Sequence, residues 1–127
     1  CRGSRGSSMT SAVNQISGNV RNYELRNVPA AATAIFTAKK DPLSTVIDIN
    51  VSNKDAGIKK VTVQVYRAAN TTSYSIATNY PIAIGGAYTR DLPIKLLEGD
   101  ELRFTAETAD TLDVVVAVSE GIGRGGA

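Results

Sequence analysis

Apolar and polar residues alternate along most of this chain, and that rhythm constrains its fold more than any other feature. Val61, Val63 and Val65 alternate with Thr62, Gln64 and Tyr66, and the segments 102–106 and 112–120 repeat the pattern. A period of two places alternate side chains on opposite faces of a β-sheet. No ten-residue segment keeps the 3.6-residue period of a helix. The sequence therefore predicts an all-β chain with little or no helix.

Turn signals recur every 8–12 residues or so, which is typical of a sandwich or barrel. The strands that this spacing predicts are Val20 to Val28, Ala31 to Ala38, Ser44 to Ser52, Ile58 to Arg67, Thr72 to Thr78, Ala87 to Leu97, Leu102 to Thr108, and Leu112 to Glu120. A short extended segment separates the fifth predicted strand from the sixth. Because proline cannot donate a backbone hydrogen bond, Pro93 places part of the sixth strand at a sheet edge or in a bulge. We predict an antiparallel β-sandwich of about eight strands, jelly-roll-like.

Two strand pairs and one strand face follow from the same pattern. The strong turn at residues 53–57 predicts a hairpin between the third and fourth strands. The turn at 109–111 predicts a closing hairpin between the last two. In the third strand, strict alternation places Val46, Asp48 and Asn50 on one face and residues 47, 49 and 51 on the other.

Composition marks out the domain and its ends. With 127 residues, 43% hydrophobic and 20% charged, the chain suits one globular domain, predicted at residues 20–120. Residues 1–8 read as a remnant of cloning and are excluded from fold reasoning. Residues 9–19 predict a flexible N-terminal arm, and the glycine-rich residues 121–127 a flexible tail.

Charge and cysteine usage give little direction toward a partner. Without Arg2 and Arg5, which lie in the cloning remnant, twelve basic residues balance twelve acidic ones. That balance gives no warrant for a nucleic-acid partner. The single cysteine, Cys1, lies in the same remnant, so no intrachain disulfide is expected. No apolar stretch approaches the roughly 20 residues that span a bilayer, and no signal segment opens the chain. We expect a soluble protein with no membrane partner and no cleaved secretion signal.

The chain lacks the side chain that most enzymes use for acid–base work. It contains no histidine, which excludes Ser-His-Asp and Cys-His catalysis. Carboxylate pairs remain for a glycosidase: the candidates are Glu98 with Asp100 and Glu101, or Asp110 with Asp113. The first group occupies a turn, where acidic residues commonly form local hydrogen bonds. We expect no catalytic residues and no enzyme activity.

Cofactor sites are weakly indicated. The acidic residues near predicted turns, which could offer oxygen ligands to calcium, are Asp41, Asp55, Glu98, Asp100 and Asp110. No EF-hand spacing joins them, so solvated loop carboxylates are the favoured interpretation and no metal is expected. The run 121–126 looks like a dinucleotide loop but precedes no helix, which phosphate binding needs. We expect no cofactor.

The tyrosines offer a different kind of surface. They are Tyr23, Tyr66, Tyr74, Tyr80 and Tyr88. Tyr66 falls on the polar phase of its strand, where an exposed ring would suit an interface. Strand propensity explains the same residues equally well.

The order of features along the chain, above all in its second half, is specific. A leucine-x-glycine-aspartate-x-leucine turn at residues 97–102 leads to a valine-rich final strand ending at Ser119-Glu120. Upstream, Val51-Ser52-Asn53 matches an asparagine turn after hydrophobic residues, and the segment 28–38 fits the opening of the group. This order of features resembles that of small all-β virion proteins of tailed bacteriophages. The resemblance implies a structural role with architectural residues, Gly99 in the turn and Leu102 and Val114 in the core.

This resemblance predicts a non-enzymatic bacteriophage virion protein. The first choice is a head decoration or cement protein that forms a dimer or trimer, binds other virion proteins and stabilises the capsid. The main alternative is a tail or fibre module that binds host glycans or proteins. A carboxylate-only enzyme and a calcium-dependent binding module stay open as further alternatives.

Overall fold

The computed structural model describes residues 19–40 and 43–120 of the chain. The predicted cloning remnant, the C-terminal tail and all of the predicted arm except Asn19 lie outside those residues. Asn19 begins the first strand. The strands are β1 (Asn19–Leu25), β2 (Thr33–Thr37), β3 (Ser44–Asn53), β4 (Lys59–Arg67), β5 (Thr72–Ile82), β6 (Ala87–Arg90), β7 (Ile94–Leu96), β8 (Glu101–Ala106) and β9 (Leu112–Glu120). The described residues contain no helix, and hence none that could cross a membrane.

The strands form two antiparallel sheets that face each other. The first sheet has the order β1–β9–β3–β6, with β7 also paired to β3, and the second has the order β2–β8–β4–β5. β6 and β7 lie along the same neighbour, so together they fill one strand position of the sandwich. Two four-position sheets in this order are a jelly roll, which confirms the predicted fold class.

The valine-rich strands bury the side chains that alternation predicted. In β9, Leu112, Val114, Val116 and Val118 are buried while the residues between them are half-buried or exposed. β4 and β8 contribute their own inward-facing side chains to the same core, among them the fully buried Phe104. The core is therefore a layer of aliphatic side chains between the sheets, as in other sandwiches.

Both predicted hairpins are wrong. β3 and β4 lie in different sheets, and so do β8 and β9, so the turns at 53–57 and 109–111 cross from one sheet to the other. In the described chain, only β4 and β5 follow each other as neighbours within a sheet. Alternation shows which side chains are buried. It does not show whether the next strand in the sequence pairs with a given strand in the same sheet or faces it across the core.

The predicted face of Val46 is also wrong. The pairing of β3 with β9 shifts between Val46 and Asp48. One extra residue in a strand reverses the phase of everything beyond it. Val46 is consequently buried with Ile49 and Val51, whereas Asp48 is exposed.

Proline and aromatic residues mark the borders of the sandwich. Pro93 lies between β6 and β7, so it interrupts the predicted sixth strand as expected. β5, at the edge of the second sheet, continues through Pro81 to Ile82. It therefore includes part of the short extended segment that was predicted to follow it. The rings of Tyr23 and Phe36, centred 4.7 Å apart, close the side between β1 and β2. Tyr80 and Tyr88, 4.9 Å apart, close the opposite side.

Candidate functional site

The buried carboxylate of Asp100 organises the end of the sandwich where β1 begins and β9 ends, called here the lower end. Asp100 is 1% exposed. Its Oδ2 accepts hydrogen bonds from Arg67 Nη1 at 2.7 Å and from the Leu97 amide at 2.9 Å, and its Oδ1 accepts one from the Ala68 amide at 3.0 Å. The same Arg67 nitrogen donates to the Lys95 carbonyl. One side chain thereby joins the ends of β4 and β7 to the start of β8.

Gly99 lets the chain make this turn. Its φ of +86° is a conformation that L side chains rarely adopt, and an added Cβ would lie 2.8 Å from the Ala68 Cβ. Glycine is needed here both for the backbone conformation and for the close approach. The turn role that the resemblance implied for Gly99 agrees with this geometry.

The opposite, upper end is held by a second buried polar residue, Asn53. Its Nδ2 donates to the carbonyl oxygens of Gly57 at 2.8 Å and Ile82 at 3.0 Å, with Ala83 O at 3.3 Å. Its Oδ1 accepts from the Asp55 amide at 2.8 Å. The side chain therefore ties the β3–β4 crossing to the β5–β6 connection.

A cluster of charged and polar groups lies beside it at the upper end. Asp113 Oδ1 accepts from the Asn27 amide and from Lys54 Nζ, each at 2.9 Å. Lys54 Nζ also donates to Asn27 Oδ1. The cluster joins the loops that follow β1 and β3 to β9. Since Lys54 and Asp113 are both more than one-third exposed, water screens their ion pair.

Hydrogen bonding lowers the pKa of both aspartates. Burial alone would raise the pKa of Asp100, but the Leu97 amide, Arg67 and the Ala68 amide together outweigh it and hold the pKa below its usual 3.8. Burial likewise opposes the shift at Asp113, where the Asn27 amide, Lys54 and Arg26 lower the pKa. Both side chains are therefore carboxylates at neutral pH, which is the wrong state for a general acid.

These shifts predict a loss of stability in acid. The unfolded chain binds protons at the ordinary aspartate pKa, and the folded chain only below it, so the free energy of unfolding falls as the pH drops below about 5. Urea unfolding measured between pH 7 and pH 3 should show this decline. The Asp113→Asn variant should show a shallower decline than the parent, and an identical slope for both would contradict the role of Asp113.

The candidate carboxylates have different surroundings. Asp100 is enclosed by donors at the lower end, Glu101 pairs with Arg103 at 2.7 Å on the outer face of β8, and Glu98 is exposed. Asp113 belongs to the upper cluster, while Asp110 is exposed with a φ of 67°.

The candidate calcium ligands that the structure describes are divided between the two ends of the sandwich. Asp55 at the upper end pairs with Lys59 at 3.5 Å, far from Asp100 at the lower end, and Asp41 lies outside the described residues. Nowhere in residues 19–40 and 43–120 do three acidic or cysteine side chains gather in a way that could hold a metal ion.

The tyrosines do not form one binding platform. Arg103 covers the Tyr66 ring, with its Cζ 4.1 Å from the ring centroid, so this ring is half-buried rather than exposed. Tyr23 donates to Glu120 at 3.3 Å and packs on Phe36. Tyr74 and Tyr80 on β5 are exposed to nearly half of their area.

A shallow apolar recess at the lower end was not anticipated from the sequence. It measures about 280 Å³ and is lined by residues 43–45 at the start of β3, residues 95–97 at the end of β7, and Ser119 of β9. Leu43 and Leu97 are 56% and 59% exposed at this recess. The lining holds no carboxylate and a single charged residue, Lys95, so it offers no acid–base pair. The sequence signal was present: both leucines lie beside turn segments, which are ordinarily polar.

No family model matches the sequence, and no curated protein matches it. The structure matches a pentameric capsid protein isolated from metagenomic phage sequences, with a TM-score of 0.51 and 18% identity over 85% of this chain. The chain shares its fold with a phage capsid protein. It spans 65% of the length of that protein.

Weaker likenesses extend to other sources. The VP2 subviral particle of infectious bursal disease virus matches 82% of the chain and 34% of its own chain, at 11% identity and a TM-score of 0.44. The globular domain of zebrafish complement 1qA matches 78% of the chain and 94% of its own, at 13% identity and a TM-score of 0.46.

Proposed function

We propose that this protein is a non-enzymatic structural component of a bacteriophage virion, and specifically a head decoration or cement protein. It would assemble with itself and dock on other virion proteins after synthesis in the host cytoplasm. The observation that carries the proposal is the jelly roll shared with a phage capsid protein over 85% of the chain. A shared fold alone does not determine function, so the surfaces of this chain must also fit the role.

The acidic side chains support a role without chemistry. Asp100 and Asp113 are occupied by amide and cationic donors, and Glu101 by Arg103. A glycosidase needs two carboxyl groups facing one cleft about 5–9.5 Å apart. The recess at the lower end, in contrast, has no acidic lining residue.

The outer face of the first sheet suits a broad contact surface. Its central strand β9 presents Val115 and Ala117, with Val115 41% exposed. On the neighbouring strands, Asn50 and Ser52 of β3 are uncharged, whereas Asp48 of β3 and Glu24 of β1, which pairs with Val115, carry a charge. Interface centres are depleted in charge and close-packed, and many weak contacts of this kind add up on a repeating lattice. The outer face of the second sheet instead carries the internal pairs of Arg103 with Glu101 and Tyr66.

The proposal is tested by adding the protein to phage particles that lack it. We expect saturable binding and a higher temperature of particle rupture. Val115→Glu, which puts a charge at the centre of the proposed contact, should weaken binding about tenfold. The matched control is Gln64→Glu on the outer face of the second sheet, which should bind as the parent does. Binding to host cells but not to particles would favour the tail or fibre role.

A further inference from the structure

We propose that the recess at the lower end is the docking site for the chain's own N-terminal segment, through Val13 and Ile16. This inference is independent of the virion role, since it concerns a contact within one chain. It rests on the position of the recess, the reach of the chain and the residue types on both sides.

The recess lies beside the point at which the chain enters the sandwich. Asn19 pairs with Glu120, Glu120 pairs with Ser44, and Ser44 pairs with Leu96, so one row crosses β1, β9, β3 and β7. The next row runs from Val20 through Ser119 and Thr45 to Lys95, and the last three of these line the recess. Val20, at the near end of that row, is itself 48% exposed.

The preceding residues are long enough to reach it. Neighbouring strands are about 4.8 Å apart, so the recess between β3 and β7 lies roughly 12 Å from β1. An extended chain covers about 3.3 Å per residue. Ile16, three residues before Asn19, is therefore within reach of the β9 and β3 side of the recess. Val13, six residues before Asn19, is within reach of Leu97 on the far side.

The residue types on the two sides are complementary. Val13 and Ile16 are the two β-branched apolar residues of the segment 10–18, whose other members are small or polar. Leu43 and Leu97 offer them apolar area that is now open to water. Because the segment is tethered within reach, its effective concentration at its own recess is of millimolar order, which favours its own chain over a neighbour.

The first test measures coverage of Leu97. In a Cys1→Ser background, maleimide labels a cysteine introduced by Leu97→Cys, and labelling is repeated after adding Val13→Asp and Ile16→Asp. We expect labelling to quicken about tenfold with the two aspartates, because they undock the segment. Ala87→Cys, exposed on the same sheet at the upper end, is the matched control and should label at one rate in both chains. An unchanged rate at position 97 would overturn the proposal.

The second test identifies the occupant. In the same Cys1→Ser background, Val13→Cys with Leu97→Cys, mildly oxidised at low concentration, should form a disulfide within one chain, about tenfold faster than Val13→Cys with Ala87→Cys. Mixing isotope-labelled and unlabelled chains distinguishes the alternatives. Mixed disulfide dimers would assign the recess to a second copy and overturn the proposal. Cross-linking of Leu97→Cys to Ile122→Cys, but not to Val13→Cys, would assign it to the C-terminal segment and overturn it too.

Discussion

Asp100→Ala should lower the free energy of unfolding by about 4 kcal/mol, the largest loss expected from a single polar substitution in this chain. The carboxylate takes three hydrogen bonds, from Arg67 and from the amides of Ala68 and Leu97. Alanine removes the carboxylate, so two backbone amides and one guanidinium lose their hydrogen-bond acceptor. Arg67 is one-third exposed and can regain water, which keeps the loss below that of a fully buried pair.

Urea unfolding at pH 7 measures this effect. The matched control is Glu98→Ala, two residues away and exposed, which should change the free energy by less than about 0.5 kcal/mol. The loss for Asp100→Asn should fall between the losses for Asp100→Ala and Glu98→Ala. The asparagine amide keeps one hydrogen-bond acceptor but turns its own donor toward another donor. Equal stability of Asp100→Ala and Glu98→Ala would contradict the role assigned to the Asp100 carboxylate.

Asn53→Ala should cost about 3 kcal/mol for a similar reason at the upper end. Its side-chain amide donates to the carbonyl oxygens of Gly57 and Ile82, and its oxygen accepts the Asp55 amide. Removing it leaves buried backbone groups unsatisfied and unties two loops.

Asn53→Asp separates the hydrogen bonds from side-chain size. The carboxylate has the same shape but no donor, and it faces carbonyl oxygens, so the loss at pH 7 should be at least as large as for alanine. Asn22→Ala, at an exposed position of β1, is the control and should change stability far less. A loss below about 1 kcal/mol for both Asn53 variants would contradict the account of the upper end.

The fold class was readable from the sequence because alternation reports burial directly. Val61, Val63 and Val65 are buried as their spacing predicted, and Pro93 interrupts the strand it was expected to interrupt. The pairing was not readable. In a jelly roll most connections cross between sheets, and a strand has the same one-sided pattern whether its sequence neighbour lies beside it or across the core.

Local irregularities account for the other errors. The shift between Val46 and Asp48 leaves no mark in composition, because Ile47 suits a bulge and a regular strand equally well. The roles of the two buried polar residues could be predicted only in part. Asn53 and Asp100 lay in predicted turns, but their partners Ile82 and Arg67 come from distant segments that only the folded chain brings near.

We propose that this jelly roll occupies repeated positions on a phage particle and carries out no reaction. Electron cryo-microscopy of particles saturated with the protein tests this proposal most directly. We expect density for the sandwich at every equivalent capsomer position on the head, with the outer face of the first sheet against the capsid. Particles that show no added density on the head after incubation at saturating concentration would contradict the claim.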